Sequence, residues 1–378
     1  MRTTATVLRS MGHETPFAKS RPLERVELEL EPPHPGELLV KVRAAGLCHS
    51  DLSVITGQRP RVMPMALGHE AAGEVVETGS PDSAFSVGDH VVLAFVPACG
   101  ECSFCLQGRP ALCEAGAVAN NEGTLLGGHH RLRDDNGDYV HHHVGVSAFS
   151  DHIVVSERSA VVVPDDLPFE IAALFGCAVL TGAGAVLNTA AEALPAESFG
   201  VFGLGGVGLA ALIAAKSQGA SEIVAVDRVP AKLELALELG ATTAIDATEG
   251  DVAARVKEAT GGGVEVAVET VGHEAVLAEA YAATKRGGLT VTAGLPHPDG
   301  ILEIQALSLV AEERTLKGSY LGSCVPSRDI PRFIEMYESG ILPVDRLLSH
   351  RLTPDQINEG FDRLASGEAV RQVVLFEN

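Results

Sequence analysis

The spacing of apolar and polar positions divides the chain into three stretches. Near the N-terminus, LLVKVRAAG, AAGEVVETG, GDHVVLAF and FSDHIVVSERSAVVVP read as short strands bounded by glycine, proline and acidic turns. From about residue 179 to 321 the pattern changes. Short apolar strands (SFGVF, EIVAVD, VEVAVETVG, GGLTVTAG) alternate with helical runs such as GLAALIAAKSQG, PAKLELALELGA and EAVLAEAYAATKR. That alternation predicts an α/β class, a doubly wound parallel sheet. The tail, DQINEGFDRLASGEAVRQVVLF, returns to helix then strand and is expected to rejoin the first part. The predicted domains are therefore 1–178 with 322–378, and 179–321. Two domains suit a chain of 378 residues.

The longest uncharged stretch, residues 171–191, has the length of a membrane span. Its glycines, threonines and asparagine, with acidic flanks, predict a buried turn and helix instead. The opening MRTTATVLRSMGHETP carries no apolar secretion segment, and a cytoplasmic protein is expected. The net charge of −22 argues against nucleic acid or an anionic membrane as partner and leaves a small molecule open.

Four of the seven cysteines crowd into CGECSFCLQGRPALC. Cys99, Cys102, Cys105 and Cys113 read as C-x2-C-x2-C-x7-C, short loops that let thiolates wrap one tetrahedral zinc. A disulfide framework fits a large cytosolic chain poorly, and an iron–sulfur cluster is the weaker metal alternative. Four thiolates leave no open position on zinc, so the lobe (about residues 97–115) is expected to brace rather than react.

A second set is scattered. Cys48 lies in GLCHSDLSVITG, His69 and Glu70 in MALGHEAAGEVV, and Cys177 in LFGCAVLTGAGAV. Two thiolates and an imidazole are a catalytic zinc set with one position left for water or substrate. Each alone is a common packing residue; their neighbours strengthen them. Asp51, three residues past Cys48, is placed to orient a ligand histidine. Cys177 precedes an Ala/Gly/Leu-rich helical run whose N-terminus favours thiolate. Cys324 is left over and reads as a small buried residue.

Between the strand SFGVF and its helix stand Gly203, Gly205, Gly206, Val207 and Gly208, and the next strand ends at Asp227, 19 residues on. This order puts a pyrophosphate at a helix N-terminus and the adenosine ribose at a carboxylate. The carboxylate disfavours a 2′-phosphate, so NAD is expected over NADP; Arg228 is the neighbour that could accommodate the phosphate.

GLCHSD, GHEAAGEV, the cysteine lobe, GCAVLTGAGA, GLGGVG, AVD and SGEAVR together resemble the zinc-dependent alcohol dehydrogenases of the medium-chain dehydrogenase/reductase superfamily, in order along nearly the whole chain. The resemblance implies a GroES-like β-rich catalytic domain beside a Rossmann domain, and a homodimer or homotetramer. It implies two zinc ions, one on Cys48, His69 and Cys177 with Glu70 behind it, one on the four clustered cysteines. Ser50 takes the substrate proton; His49 and Arg371 lie near the pyrophosphate; Thr181 lies beside the nicotinamide, and Lys232 near the adenosine ribose. Arg59, Phe95, Val118, His143 and Val144 fall at pocket positions. The implied reaction is reversible hydride transfer between NAD and an alcohol held as alkoxide on zinc.

Two positions depart from relatives. Ser53 stands where many carry a relay histidine, and Ala117 stands where thiol-dependent formaldehyde dehydrogenases carry an arginine. A thiol-adduct-dependent formaldehyde dehydrogenase is the alternative enzyme, and a non-catalytic zinc- and nucleotide-binding protein the alternative outside catalysis.

Overall fold

The strand Glu37–Gly46 is the spine of a seven-stranded sheet. Ala71–Thr78 pairs along one edge; His152–Ser156 and then Arg371–Leu375 pair along the other. The sheet continues from Ala71–Thr78 to His90–Leu93 and Ala160–Val162, and from Arg371–Leu375 to Leu348–Leu352. Almost every residue of Glu37–Gly46 is buried, because both faces of this strand are covered. A small closed barrel is made by Arg2–Leu8, Leu23–Leu30, Leu132–Arg133, Tyr139–His142 and Met65–Ala66. These elements belong to the first of two units in the computed structural model, which describes residues 1–376.

That first unit comprises Met1–Cys177, Val325–Pro331 and the chain from Leu348 onward. Its core gathers Leu38, Val40, Val42, Leu47, Val75, Val91, Leu93, Phe149 and Phe361, contributed by the sheet and by the helix Ile357–Ser366.

The second unit, Ala178–Cys324 with Arg332–Leu347, is built on six parallel strands. Their spatial order is Thr243–Asp246, Glu222–Asp227, Ser198–Phe202, Val264–Glu269, Thr284–Thr292 and Thr315–Gly318. Numbered along the chain this is 3-2-1-4-5-6, the doubly wound order that leaves a crevice where the winding reverses. Helices Gly206–Ser217, Pro230–Leu239, Val252–Ala259 and Glu274–Ala283 connect the strands.

The domain boundaries differ from the sequence expectation by a few residues at the joins, Ala178 and residues 322–324 falling in the second unit, and in one longer stretch. Residues 332–347 were expected in the first domain but pack with the second unit. Phe333, Ile334, Leu342, Val344 and Leu347 are all buried, so this stretch is part of a core rather than a bridge. Residues 171–191 fold as short helical segments, and among the described residues no single helix is long and apolar enough to cross a membrane.

Candidate active site

Sheet register assembles the scattered donors. Cys48 caps the helix His49–Ile55, two residues past the strand Glu37–Gly46. His69 lies two residues before Ala71–Thr78, whose Ala71 sits opposite Ala45. The backbone of Gly46 donates to Glu70 O at 2.8 Å, holding the two chain turns side by side. Cys177 reaches the same place because Gly176 packs against the carbonyl of Leu93, and Leu93 is itself paired with Ala71. Gly68 must be glycine: its φ is +95°, and a Cβ there would meet the backbone and ring of Phe149 at 2.5–2.9 Å.

One ligand atom from each of Cys48, His69, Glu70 and Cys177 lies within 4.8 Å of all the others, and all four residues are buried. His69 turns Nδ1 toward Asp51, 3.1 Å from both carboxylate oxygens. Its Nε2 is buried with no protein partner. Burial pushes His69 down, but Asp51 and the Cys48 sulfur outweigh it and hold the ring at about 10. Cys48 falls well below the usual thiol value through its hydrogen bond with Cys177 and the charge of His69. Burial likewise pushes Asp51 up, yet His69 and His143 keep it at about 2. Two sulfurs, an orphaned imidazole nitrogen and a surplus of buried negative charge fit zinc with three protein ligands.

Glu70 is completed by Arg371, which donates to it from Nη2 and to Leu47 O from Nη1 at 3.1 Å. The sequence expectation put Arg371 near the pyrophosphate; its contacts within the first unit are Glu70 and the chain beside Cys48. Ser50 Oγ lies 3.9 Å from Cys48 Sγ, and Ser53 Oγ donates to Ser50 O at 2.8 Å. Phe95 meets His69 edge-on at 5.3 Å between ring centres. His143 and Val144 are buried, His49 is exposed and Arg59 half-buried. Val118 is 54% exposed, on the helix Glu114–Glu122.

None of the seven cysteines is in a disulfide. In the lobe, the four sulfurs of Cys99, Cys102, Cys105 and Cys113 cluster within 4.8 Å. Backbone amides of Glu101 and Cys102 donate to Cys99, and those of Cys99 and Gly116 to Cys113, at 3.2–3.5 Å. The backbone amides of Cys105 and Glu114 bring Cys102 down to about 6, while burial and its neighbours push Cys105 up to about 12. Thiols this close do not all ionise without a cation, and four of them close a tetrahedral zinc sphere.

In the second unit Gly203 has φ +90°, and a Cβ on Gly208 would strike Gly203 O. A Cβ on Gly205 would meet nothing within 4 Å, leaving the space a pyrophosphate needs at the start of Gly206–Ser217. Val207 follows in that first helical turn. Asp227 accepts from Leu204 N at 2.6 Å and from Val229 N at 2.9 Å, so its carboxylate is fixed against the glycine loop. Lys232 is buried and pushed down by that burial, against the pull of Asp227; Arg228 is exposed and Thr181 buried. Sequence reasoning missed Glu269. It is buried at the end of Val264–Glu269 and accepts from Val271 N and Gly272 N at 2.6 Å and from Thr292 Oγ1 at 2.7 Å. Its signal was present: VEVAVE, like EIVAVD, ends an apolar strand on an acid.

A winding reversal above a glycine turn in one unit, and a thiol–imidazole metal set in the other, define a metal- and nucleotide-dependent oxidoreductase. Residues 34–165 match the alcohol dehydrogenase GroES-like domain and residues 206–339 the zinc-binding dehydrogenase domain. An NDMA-dependent alcohol dehydrogenase of Amycolatopsis methanolica is 38% identical over 379 residues, 99% of each chain. An alcohol dehydrogenase zinc-binding domain protein from Burkholderia ambifaria superposes with a TM-score of 0.93 at 36% identity, and benzyl alcohol dehydrogenase from Acinetobacter calcoaceticus with 0.90 at 33%; both alignments cover 100% of each chain. The chain belongs to the zinc-dependent medium-chain dehydrogenase/reductase family. It is an oxidoreductase of the alcohol dehydrogenase type that uses zinc and a nicotinamide cofactor.

Proposed function

We propose that the chain is an NAD-dependent alcohol dehydrogenase carrying two zinc ions, one in each cysteine-containing site. The observation that carries this reading is the buried cluster of Cys48, His69 and Cys177 with Ser50 at its edge. When bound there, zinc supplies a Lewis acid that lowers the pKa of an alcohol hydroxyl, and the nicotinamide supplies the hydride acceptor. Asp51 holds His69 so that Nε2 is the nitrogen offered. The Ser50 hydroxyl both donates and accepts, so it takes the alcohol proton and passes another on. Ser53 is engaged with Ser50 O, which leaves onward transfer to solvent. Phe95 shields the imidazole edge from water. In the second unit the glycine loop leaves room for the pyrophosphate, and Asp227 offers the ribose hydroxyls an acceptor that a 2′-phosphate would find repulsive.

Assembly as a homodimer or homotetramer is part of the proposal. Ile301 and Val310 are 76% and 79% exposed and Thr315–Gly318 is an edge strand of the second unit's sheet, features that a second copy would cover. A cytoplasmic location is part of the same reading: the seven cysteines form no disulfide, which suits a reducing compartment.

The test is a panel of primary, secondary and aromatic alcohols with NAD and NADP, read by absorbance of the reduced nicotinamide. It includes formaldehyde with and without glutathione or mycothiol. Cys48→Ala should abolish turnover while nucleotide binding persists. Undiminished turnover in that variant refutes the assignment, and strict dependence on the added thiol moves the protein to the formaldehyde-adduct reaction.

A further inference from the structure

The Asp51 carboxylate is shared. It is 0% exposed, and its Oδ1 lies 3.1 Å from His69 Nδ1, 3.1 Å from the amide of Gly68 and 3.0 Å from His143 Nδ1. His143 is 2% exposed and stands edge-on to His69, with ring centres 5.5 Å apart at 90°. Its place is rigidly set. Its amide donates to Ser147 Oγ at 3.0 Å, its carbonyl accepts from Val146 and Ser147, and the preceding residue is in register with Ala66 in the barrel. An ionised carboxylate only accepts, so the His143 ring meets it through Nδ1–H, 3.0 Å away and turned off the line of a hydrogen bond.

With His69 and Gly68 as its only partners, the carboxylate would keep freedom to rotate about Cβ–Cγ, and the His69 ring would follow it. A buried imidazole from a different element, in polar contact at 3.0 Å, narrows that freedom. The family resemblance implies a pocket position for His143; its contact with Asp51 points to a further task. We propose that His143 is a positioning residue for the metal site, pinning Asp51 so that His69 Nε2 stays aimed at the sulfurs of Cys48 and Cys177. The inference rests on the zinc reading above. Outer hydrogen-bonding partners of this kind change metal affinity by about 10- to 100-fold.

The experiment compares zinc-loaded wild-type protein with His143→Phe and His143→Asn. Phe keeps most of the volume and removes the donor; the Asn amide nitrogen occupies the place of Nδ1. Zinc loss to dipicolinate is followed by metal analysis, and the visible absorption of cobalt-substituted protein reports ligand geometry. The expected result for His143→Phe is release of one zinc about 10- to 100-fold faster, with a shifted cobalt spectrum. The other zinc, on the four cysteines, should leave as in wild type, and His143→Asn should lie near wild type in both measurements. Should His143→Phe fail to fold, His143→Ala serves the same comparison. Wild-type zinc loss and an unchanged cobalt spectrum in the donor-less variant would overturn the proposal, as would an Asn variant as defective as Phe. Wild-type protein that holds zinc only on the four cysteines would overturn the zinc reading itself, and this inference with it.

Discussion

Arg371→Met tests whether the buried charge around the metal donors is balanced as described. Glu70 is wholly buried and Arg371 nearly so, and the two are joined directly. Methionine keeps an unbranched stem of similar reach, so the change removes charge and hydrogen bonds more than volume. Glu70 Oε1 already lacks a partner, and Oε2 would lose its only cation; Leu47 O would lose a donor as well. The carboxylate lies close against Gly46, where an added Cβ would come within 2.8 Å of it. Breaking one side of a buried ion pair costs about 3–5 kcal/mol. For a chain of 378 residues, about 4 kcal/mol corresponds to a fall of about 5 °C in Tm.

The assay is a double-mutant cycle in urea, followed by far-UV circular dichroism on zinc-loaded protein. It uses wild type, Arg371→Met, Glu70→Gln and the double variant. Glu70→Gln with Arg371→Met leaves a neutral amide and should recover most of the loss. A coupling energy of at least about 2 kcal/mol is expected. A coupling below about 1 kcal/mol, the range of exposed pairs, would refute the argument that this pair is buried and mutually required.

Gly208→Val should weaken NADH binding at least tenfold without changing zinc content, because its Cβ collides with Gly203 O and crowds Thr270 Oγ1; fluorescence titration reads it, and unchanged affinity contradicts the loop geometry. Asp227→Ser should lower kcat/KM for NAD about tenfold and narrow its preference over NADP, Arg228 being retained; an unaltered ratio removes Asp227 from cofactor choice. Cys105→Ser should leave one zinc per chain by metal analysis and make residues 99–113 the first site cut by trypsin; two zinc ions in that variant would sink the four-cysteine assignment. Burial raises the folded-state pKa of Glu269, so the native state holds its proton more firmly than the unfolded chain, and its burden on stability grows as pH rises through the folded value. The urea midpoint of Glu269→Gln relative to wild type should therefore increase from pH 5 to 8; parallel curves would show that Glu269 carries no such burden.

What was legible in the sequence was what local spacing encodes. The four clustered cysteines, the glycine turn with Asp227 one strand later, and the alternation of strands and helices each need only a few dozen residues to declare themselves. Cys48, His69 and Cys177 are harder, because nothing between them announces a meeting; their immediate neighbours singled them out. The pairing of Arg371 with Glu70 spans 301 positions and is created by the register of a C-terminal strand against Glu37–Gly46. No periodicity contains that. The contact of His143 with Asp51 depends in the same way on barrel strands that are two to four residues long, too short to leave a pattern. The return of residues 332–347 to the second unit was missed because amphipathic helices state that they pack, not against what.

These non-local contacts share a physical cause. The chain draws Cys48, Asp51, Glu70 and Cys177, all acidic groups, into a volume with almost no exposed surface, and supplies His69, His143 and Arg371 against them. Burying anions is costly unless each is paired or holds a metal. Arg371 takes Glu70, and the two imidazoles divide Asp51 between them. The two sulfurs then face an imidazole nitrogen that has no proton acceptor of its own. A divalent cation satisfies all three donors at once. The same reasoning explains why the donors come from separate turns. Binding free energy released at such a site is spent holding the ends of Glu37–Gly46, Ala71–Thr78 and the segment before Cys177 together. Removal of that ion should therefore loosen the sheet ends as well as silence the chemistry, and hydrogen exchange at Gly46, Leu47 and Glu70 would rise on chelation. Exchange that stays slow there after the metal is gone would show that the sheet holds the site, and not the reverse.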